Sequence, residues 1–259
     1  MSHTIVIANQ KGGVGKTTTA VNLSAALGLA EQSTLLVDLD PQANSSSSLG
    51  VRVSDNEPCI YELLTGAVEA DDIIQKTEFP FLSVLPSHIR LVGAEIELID
   101  TEDRESVLRK CIDTVRDRFD FIVIDCPPSL GLLTVNGLTS ADGFLVPMQA
   151  EYFALEGLTQ LLQTVRTVQK RLNTDLKMDG VVLTMFDHRL NLANQVKDEL
   201  HKFFPAHIFE TIIKRNVRLA EAPSFGKPVM NFAASSQGAR DYLALASELI
   251  SRKKRDVQY

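Results

Sequence analysis

Residues 9–18, near the start of the chain, constrain its fold more than any other stretch. They read N-Q-K-G-G-V-G-K-T-T and follow an apolar run at residues 5–8, which predicts a strand, a glycine-rich turn and then a helix. In that arrangement the N–H groups of the turn and the positive end of the helix face one small volume, and glycine lets an anion approach the backbone. The sequence therefore predicts a nucleotide-phosphate site, formed by Gly12, Gly13, Val14, Gly15, Lys16, Thr17 and Thr18.

Several side chains in and near this loop have the chemistry that a magnesium–triphosphate complex needs. Lys16 would contact the β- and γ-phosphates, and the Thr17 hydroxyl would coordinate Mg²⁺. Asp125 ends the apolar run at residues 121–124, at the edge of a buried strand where a further carboxylate is needed to hold the ion. Asp38 and Asp40 are two residues apart after a second predicted strand, so both face the same side. Asp38 has the alternative role of capping a turn. We expect ATP and Mg²⁺ as cofactors.

The loop departs from the common phosphate-loop pattern at its first position. The pattern G-x-x-x-x-G-K-[ST] requires glycine at position 10, where this chain has Gln10, and a second lysine, Lys11, follows it. Lys16 already serves the phosphates of its own site. Lys11 is therefore either an ordinary solvated lysine or a cation that reaches a nucleotide held by a partner subunit, which would imply a dimer on ATP.

Four stretches together carry a resemblance to a known family. They are K-G-G-V-G-K-T-T, V-D-L-D-P-Q at residues 37–42, residues 121–129, and R-N-V-R-L-A-E-A-P-S-F-G-K-P at residues 215–228. The chain resembles the deviant Walker A ATPases of the ParA/MinD group, and within it the ParA/Soj-type partition ATPases. This resemblance implies one ATPase domain over residues 1–259 and a Mg²⁺-dependent ATPase that is weak without its partner. It also implies a function in DNA segregation.

The resemblance assigns roles to the residues of the phosphate end. Asp40 becomes the catalytic carboxylate, together with Lys16 and with Lys11, which crosses a dimer interface to the partner's ATP. Asp38 joins Thr17 and Asp125 around the metal.

The resemblance also assigns a second group of residues to adenine binding and to DNA binding. Lys214, Arg215 and Asn216 would line the adenine pocket, although family members often have proline where this chain has Lys214. Arg189 and Arg218 match positions linked to non-specific DNA binding, and Lys214 and Arg215 lie on the same predicted side. From the residues alone, solvated surface arginines are the preferred explanation of Arg189 and Arg218.

The charge distribution is compatible with DNA binding despite a net charge of −7. Residues 1–162 hold 10 Lys and Arg against 23 Asp and Glu, whereas residues 163–259 hold 16 against 10, which suggests a basic surface on an acidic body. No base-reading motif is present, so contacts would be to phosphate and strongly salt-dependent. The expected partners are a second copy on ATP, non-specific double-stranded DNA and a ParB-type centromere-binding protein.

The pattern along the chain predicts an α/β fold of P-loop NTPase type, a doubly wound and mainly parallel sheet with helices on both faces. The predicted strands are residues 5–8, 34–38, 82–85, 121–125, 143–147, 181–185 and one near 208–212. The predicted helices are residues 16–30, 101–118, 155–172 and 242–250. The serine-rich stretch 44–48 predicts a mobile loop near the nucleotide.

Two other functions of related proteins fit less well. A MinD-like membrane ATPase in cell-division site placement needs an amphipathic C-terminal helix, but residues 251–259 are basic with little apolar area. An iron–sulfur carrier needs paired cysteines, and Cys59, Cys111 and Cys126 form no such pair, so we expect buried, reduced thiols. With no apolar run long enough to span a membrane and no signal peptide, we expect no membrane association and a cytoplasmic, nucleoid-associated protein.

Overall fold

A seven-stranded sheet organises the chain, and the computed structural model describes it over residues 2–256. The strand order is β3-β4-β2-β5-β1-β6-β7, and every neighbouring pair is parallel except β3 with β4. The strands are β1 (His3–Ile7), β2 (Thr34–Asp38), β3 (Gln75–Lys76), β4 (Leu82–Leu85), β5 (Phe121–Asp125), β6 (Gly143–Gln149) and β7 (Lys177–Thr184).

Helices cover both faces of this sheet. They are α1 (Lys16–Leu29), α2 (Asn44–Ser48), α3 (Ile60–Leu64), α4 (Ala70–Ile73), α5 (Ala94–Glu97), α6 (Val107–Asp113), α7 (Leu132–Ser140), α8 (Ala154–Arg171), α9 (Asn191–Phe203), α10 (Val217–Glu221), α11 (Val229–Phe232) and α12 (Gln237–Asp256). Short 3₁₀ helices occupy Ile89–Gly93, Leu98–Asp100, Arg104–Ser106, Arg116–Arg118 and Ala222–Phe225.

The central strands are buried on both faces, which explains their continuous Val, Ile and Leu composition. One core packs α1 and α12 against the sheet through side chains such as Leu23, Leu27 and Tyr242. The other packs α6 to α9 against the opposite face through side chains such as Ile112 and Leu161. The predicted doubly wound architecture is confirmed.

Three details of the prediction are wrong. Residues 208–212 form no strand, because Ile208 makes only an isolated bridge to Val181. The helix predicted over residues 101–118 is divided, since Asp103 has a left-handed backbone with φ of 55° and α6 covers only Val107–Asp113. The serine-rich stretch 44–48 is helix α2 rather than a loop, and its Ser45, Ser46 and Ser48 are buried.

Some predictions concern the cysteines and the end of the chain. All three cysteines are free; Cys59 and Cys126 are buried, whereas Cys111 is only half-buried. The basic C-terminal stretch is helical as far as Asp256, and residues 257–259 lie outside the described residues. Within residues 2–256, no helix has both the length and the hydropathy of a membrane span.

The register of the sheet brings the ends of three strands together. Asp125, the last residue of β5, is paired with Ile7 at the end of β1 and with Asp38 at the end of β2. The glycine-rich loop follows β1, so this carboxyl edge places the phosphate loop beside both aspartates.

Candidate nucleotide site

The glycine-rich loop joins β1 to α1 in a conformation that only glycine adopts without strain. Gly13 and Gly15 have φ of 74° and 89°, in the left-handed region, and Gly15 is the residue that precedes the first turn of α1. The loop is anchored to the edge strand β7, because the Thr184 hydroxyl donates a hydrogen bond of 2.7 Å to the Val14 carbonyl. The start of α1 therefore faces a cradle of backbone N–H groups, as an anion site requires.

Lys16 lies inside this cradle rather than in solvent. Its side chain is buried, with 7% of the residue exposed, and its Nζ donates to the Lys11 carbonyl at 3.1 Å. Burial lowers the pKa of Lys16, while the nearby Asp125, Cys126 and Asp40 act in the opposite direction. A buried ammonium with a backbone carbonyl as its hydrogen-bond partner is positioned to exchange that carbonyl for phosphate oxygens.

Asp125 is fully buried and only partly satisfied. Its Oδ2 accepts a 2.7 Å hydrogen bond from the Ser45 hydroxyl, whereas its Oδ1 has no partner among residues 2–256. The pKa of Asp125 is raised to about 7, mainly by burial and also by the charge of Asp38, while hydrogen bonding from Ser45 and the nearby Thr17 oppose the shift. A buried carboxylate oxygen with no donor is costly unless a cation or a donor reaches it.

Asp38 and Asp40 differ in how many of their carboxylate oxygens accept hydrogen bonds. Asp38 accepts bonds of 2.8 and 2.7 Å from the N–H and hydroxyl of Ser46, and one of 3.3 Å from the Asp40 N–H. Burial raises the pKa of Asp38 to about 6. Asp40 is 7% exposed, and its Oδ1 accepts a 2.9 Å bond from the Gln42 N–H. Oδ2 of Asp40 accepts no hydrogen bond within residues 2–256, so that oxygen can orient a further group.

The donor set at this edge suits Mg²⁺ bound together with a triphosphate. Thr17 follows Lys16 directly and is close enough to Asp125 to lower the pKa of its carboxyl group, and Oδ1 of Asp125 has no hydrogen-bond partner among residues 2–256. In the described part of the chain, no three His, Cys, Asp or Glu side chains converge as a metal site. Mg²⁺ commonly uses one or two protein ligands and completes its octahedron with water and phosphate oxygens. The residues therefore fit the ion.

The strain on Asp125 gives a testable pH dependence. The pKa of Asp125 is near 7 in the folded protein and 3.8 in the unfolded chain. This difference favours folding fully below pH 3.8. Its contribution to stability declines as the pH rises and is lost above about pH 7. We expect Asp125→Asn to stabilise the nucleotide-free protein by roughly 1–3 kcal/mol at pH 8, and by much less at pH 5. Thermal denaturation at the two pH values measures this. A gain that is equal at both would contradict the assignment.

A separate cavity lies beside the start of α1 and extends the site toward the end of β7. Its volume is about 270 Å³, and its walls include Gly15, Thr18, Thr184, Met185, Ile213, Lys214, Arg215, Asn216 and Tyr242. The Lys214 N–H donates to Asp241 at 3.0 Å, which fixes the wall. Asn216 caps α10, because its Oδ1 accepts a 2.8 Å bond from the Arg218 N–H. The structure thus brings the predicted adenine residues next to the phosphate loop.

Lys11 lies at the mouth of the loop and points away from its own cradle. Its ammonium forms an ion pair with Glu151, and both side chains are about half exposed, at 41% and 51%. A cavity of about 490 Å³ next to this pair is lined by Lys11, Ser129, Leu130 and Phe153, among others. Whether Lys11 acts across a dimer stays a prediction, which its exposed position permits.

The predicted DNA-contact arginines are surface residues, and each has a carboxylate partner. The Arg189 side chain is 78% exposed and donates three hydrogen bonds to Asp187, of 2.9 and 3.2 Å from Nε and 2.6 Å from Nη2. Arg218 is 57% exposed and pairs with Glu221 at 2.8 Å. Lys214 and Arg215 are exposed and have no side-chain partner among residues 2–256.

The sequence reasoning missed several of these contacts. Ser45 and Ser46 anchor the two buried aspartates, although the serine run suggested only a loop. Glu151 holds Lys11, and Asp187 and Glu221 pair with the arginines. For Asp187 and Glu221, the signal available was their spacing of two and three residues from an arginine.

The chain matches well-defined relatives in sequence. The family described as AAA domain matches residues 2–178. The sporulation initiation inhibitor protein Soj of Bacillus subtilis is 53% identical over 96% of this chain and 98% of its own length. The chromosome partitioning protein ParA of Myxococcus xanthus is 50% identical over 96% of this chain and 88% of its own.

Solved structures share the fold of this chain. A cobyrinic acid a,c-diamide synthase from Mycobacterium smegmatis, solved with ADP and magnesium, is 35% identical with a TM-score of 0.86, over 98% of this chain and 96% of its own. The cell division ATPase MinD of Pyrococcus furiosus is 28% identical with a TM-score of 0.80, over 97% and 99%. Two relatives of 50% identity, ParA of Myxococcus xanthus and Soj of Treponema pallidum, are named as chromosome partitioning proteins. The chain therefore belongs to the AAA-domain family and, within it, to the ParA/Soj group of partition ATPases.

Proposed function

We propose that this protein is a Mg²⁺-dependent ATPase that segregates DNA, with the whole chain acting as one ATPase domain. ATP joins two copies into a dimer that is retained on double-stranded DNA without sequence preference. A ParB-type partner then stimulates hydrolysis, which is slow without it, and releases the protein. The observation that carries this proposal is the buried Lys16 ammonium beside a half-satisfied Asp125, within one cleft with the cavity at Lys214.

Each part of the cleft has a distinct role in this proposal. The loop from Gly12 to Thr18 and the Lys16 ammonium bind the phosphates, and residues 214–216 hold the adenine. Thr17 and Asp125 hold Mg²⁺, with Asp38 positioned behind them through α2. The bound ion would neutralise charge on the β- and γ-phosphate oxygens. Asp40, with one free carboxylate oxygen, orients the attacking water.

Lys11 supports a dimer-dependent ATPase. Its ion pair with Glu151 is exposed and therefore worth only about 0–1 kcal/mol, so it is easily exchanged for a phosphate of a second copy. We expect Lys11→Ala to bind ATP with near-normal affinity yet to remain monomeric. Light scattering with ATP tests this, with Lys110→Ala as a control for an exposed lysine. An ATP-dependent dimer of the Lys11→Ala variant would contradict the role.

DNA retention should depend on the arginine–carboxylate pairs. Because Asp187 competes with phosphate for Arg189, we expect Asp187→Asn to tighten retention by about 2- to 10-fold at low salt. Arg189→Glu should abolish it while the ATP dimer still forms. Gel shifts with a non-hydrolysable ATP analogue measure both. Equal retention by the two variants and the unmodified protein would rule out a DNA contact at Arg189.

The decisive test of the proposed function is DNA retention with ADP, ATP and a non-hydrolysable analogue, repeated across a salt series. We expect retention only with ATP or the analogue, and a steep loss of affinity as salt increases. Flotation with anionic liposomes is the companion measurement. ATP-dependent flotation without DNA retention would contradict the partition function and support a MinD-like membrane function. Retention on DNA in cells would place the protein in the cytoplasm on the nucleoid.

A further inference from the structure

The segment that leads from β4 to α6 exposes apolar side chains on its outer face. We call residues 89–105 the connector. Buried Leu91, Ala94 and Leu98 attach it to the core. Its outward side chains are more than half exposed, namely Ile89 (55%), Val92 (55%), Ile96 (69%) and Ile99 (54%). A helical face in water normally has polar residues, so an outer row of Ile and Val is typical of a surface that another molecule covers.

A groove adjoins this row. It lies between the connector, the start of α7 and the last turns of α8, and its volume is about 740 Å³. Its apolar lining comes from Ile99, Leu130, Leu132, Val135, Val168 and Leu172. A groove of this size accepts a few side chains of an occupant that lies along the connector.

The charge of the connector selects the occupant. Residues 95–105 contain six carboxylates and one guanidinium, that of Arg104. Arg104 is already engaged, because its Nη1 donates to the Ile99 carbonyl at 2.8 Å and its Nε to Glu105 at 3.2 Å. Asp100 and Glu102 are exposed and have no partner within the described part of the chain. Lys110 pairs with Asp103 at 3.4 Å, and Arg171 lies on the opposite wall of the groove. The six carboxylates of residues 95–105 thus outnumber the cations Arg104, Lys110 and Arg171 by six to three.

Two other kinds of occupant fit this surface poorly. In a symmetric contact with a second copy, one acidic connector would face another, and like charges would repel. An anionic membrane would be repelled in the same way. A basic segment with apolar side chains satisfies both the carboxylates and the Ile and Val row.

The groove is adjacent to the nucleotide site. Leu130 lines both this groove and the cavity that contains Lys11. Residues 126–131 connect Asp125 at the end of β5 to the groove wall at Leu130. An occupant of the groove is therefore positioned to alter the surroundings of Lys11 and Asp125.

We propose that the connector and its groove form the docking surface for a basic amphipathic segment of the partner that stimulates hydrolysis. This inference rests on the proposed function, because it locates the contact of that partner. Docking brings apolar side chains into the groove while Lys or Arg side chains pair with Asp100, Glu102 and their neighbours.

The test uses the full chain and a fluorescent peptide of about 18 residues, with leucine at helical spacing and lysine or arginine elsewhere. A second peptide has the same leucines and glutamate in place of the cations. The variants are Ile96→Ser with Ile99→Ser, and Asp100→Lys with Glu102→Lys. The matched control is Glu78→Lys with Glu210→Lys, which reverses two exposed carboxylates outside the connector. Circular dichroism and basal ATP turnover confirm that each variant is folded.

We expect the basic peptide to bind the unmodified protein and the Glu78/Glu210 control, and both connector variants to lose affinity by at least about 10-fold. Equal binding of the two peptides, unchanged binding by the connector variants, or no binding at all would overturn the docking surface. Two further outcomes would also overturn it. If the unmodified protein self-associates and the Ile96/Ile99 variant does not, the occupant is a second copy. If the unmodified protein floats with vesicles and this variant does not, the occupant is a lipid surface. Basal ATP turnover and ATP-dependent DNA retention by the unmodified protein test the proposed function independently of these outcomes.

Discussion

Lys16→Gln should lose ATP binding, by about 100-fold or more, because the change removes the buried cation that faces the phosphates. Glutamine is shorter and neutral, so neither the charge nor the reach of the ammonium is replaced. The effect should be large since Lys16 is desolvated in the free protein, where an electrostatic contact is stronger than at the surface. Calorimetric titration with ATP and Mg²⁺ measures it.

The control for this variant is Lys76→Gln, an exposed lysine on β3 at the edge of the sheet. We expect the control to bind ATP as the unmodified protein does. Circular dichroism should show that both variants are folded, because the Lys16 side chain makes one hydrogen bond within residues 2–256, to the Lys11 carbonyl. Tight ATP binding by folded Lys16→Gln would refute the assignment of Lys16.

Asp40→Ala should separate ATP binding from turnover. Asp40 is outside the loop that holds the phosphates, and its free oxygen is the one that we assign to the attacking water. We expect turnover to fall by about 100-fold or more, with ATP affinity nearly unchanged. The ATP-bound dimer should then accumulate on DNA, which gel shifts with ATP would show as retention that no longer declines with time.

A suitable control is Asp117→Ala, which removes an exposed carboxylate from the Arg116–Arg118 helix. Phosphate release by the control should match that of the unmodified protein, at basal level and with a ParB-type partner. Normal turnover by Asp40→Ala would exclude Asp40 as the catalytic carboxylate. A loss of ATP binding in that variant would instead assign Asp40 to the phosphate or metal contacts.

The sheet was predictable because its strands are apolar runs of the right length, buried on both faces. Residues 121–125 and 34–38 coincide with β5 and β2. The short β3, Gln75–Lys76, has exposed polar residues and therefore gave no signal. Ile208 and its neighbours have strand composition, but they pair with β7 through an isolated bridge between Ile208 and Val181 rather than through a continuous ladder.

The phosphate loop was predictable for a different reason, since its glycines and lysine have fixed positions in the sequence. The anchoring contacts were not, because they join residues far apart in the chain. Ser45 and Asp125 are separated by 80 positions, and Lys11 and Glu151 by 140. Composition also misled at residues 44–48, where serines predicted a loop. Tertiary hydrogen bonds to Asp38 and Asp125 stabilise α2 there instead.

Helix α2 has a mechanical consequence for the whole cleft. At one end it is tied to Asp38 and Asp125, and just beyond its other end Gly50 approaches Gly226 so closely that a Cβ on Gly226 would lie 2.9 Å from the Gly50 Cα. Gly226 ends the turn that follows α10, the helix of Arg218. Helix α2 thus connects the two buried aspartates to the turn that follows α10. We therefore expect a ligand that replaces Ser45 at Asp125 to change the contact between Gly50 and Gly226 as well.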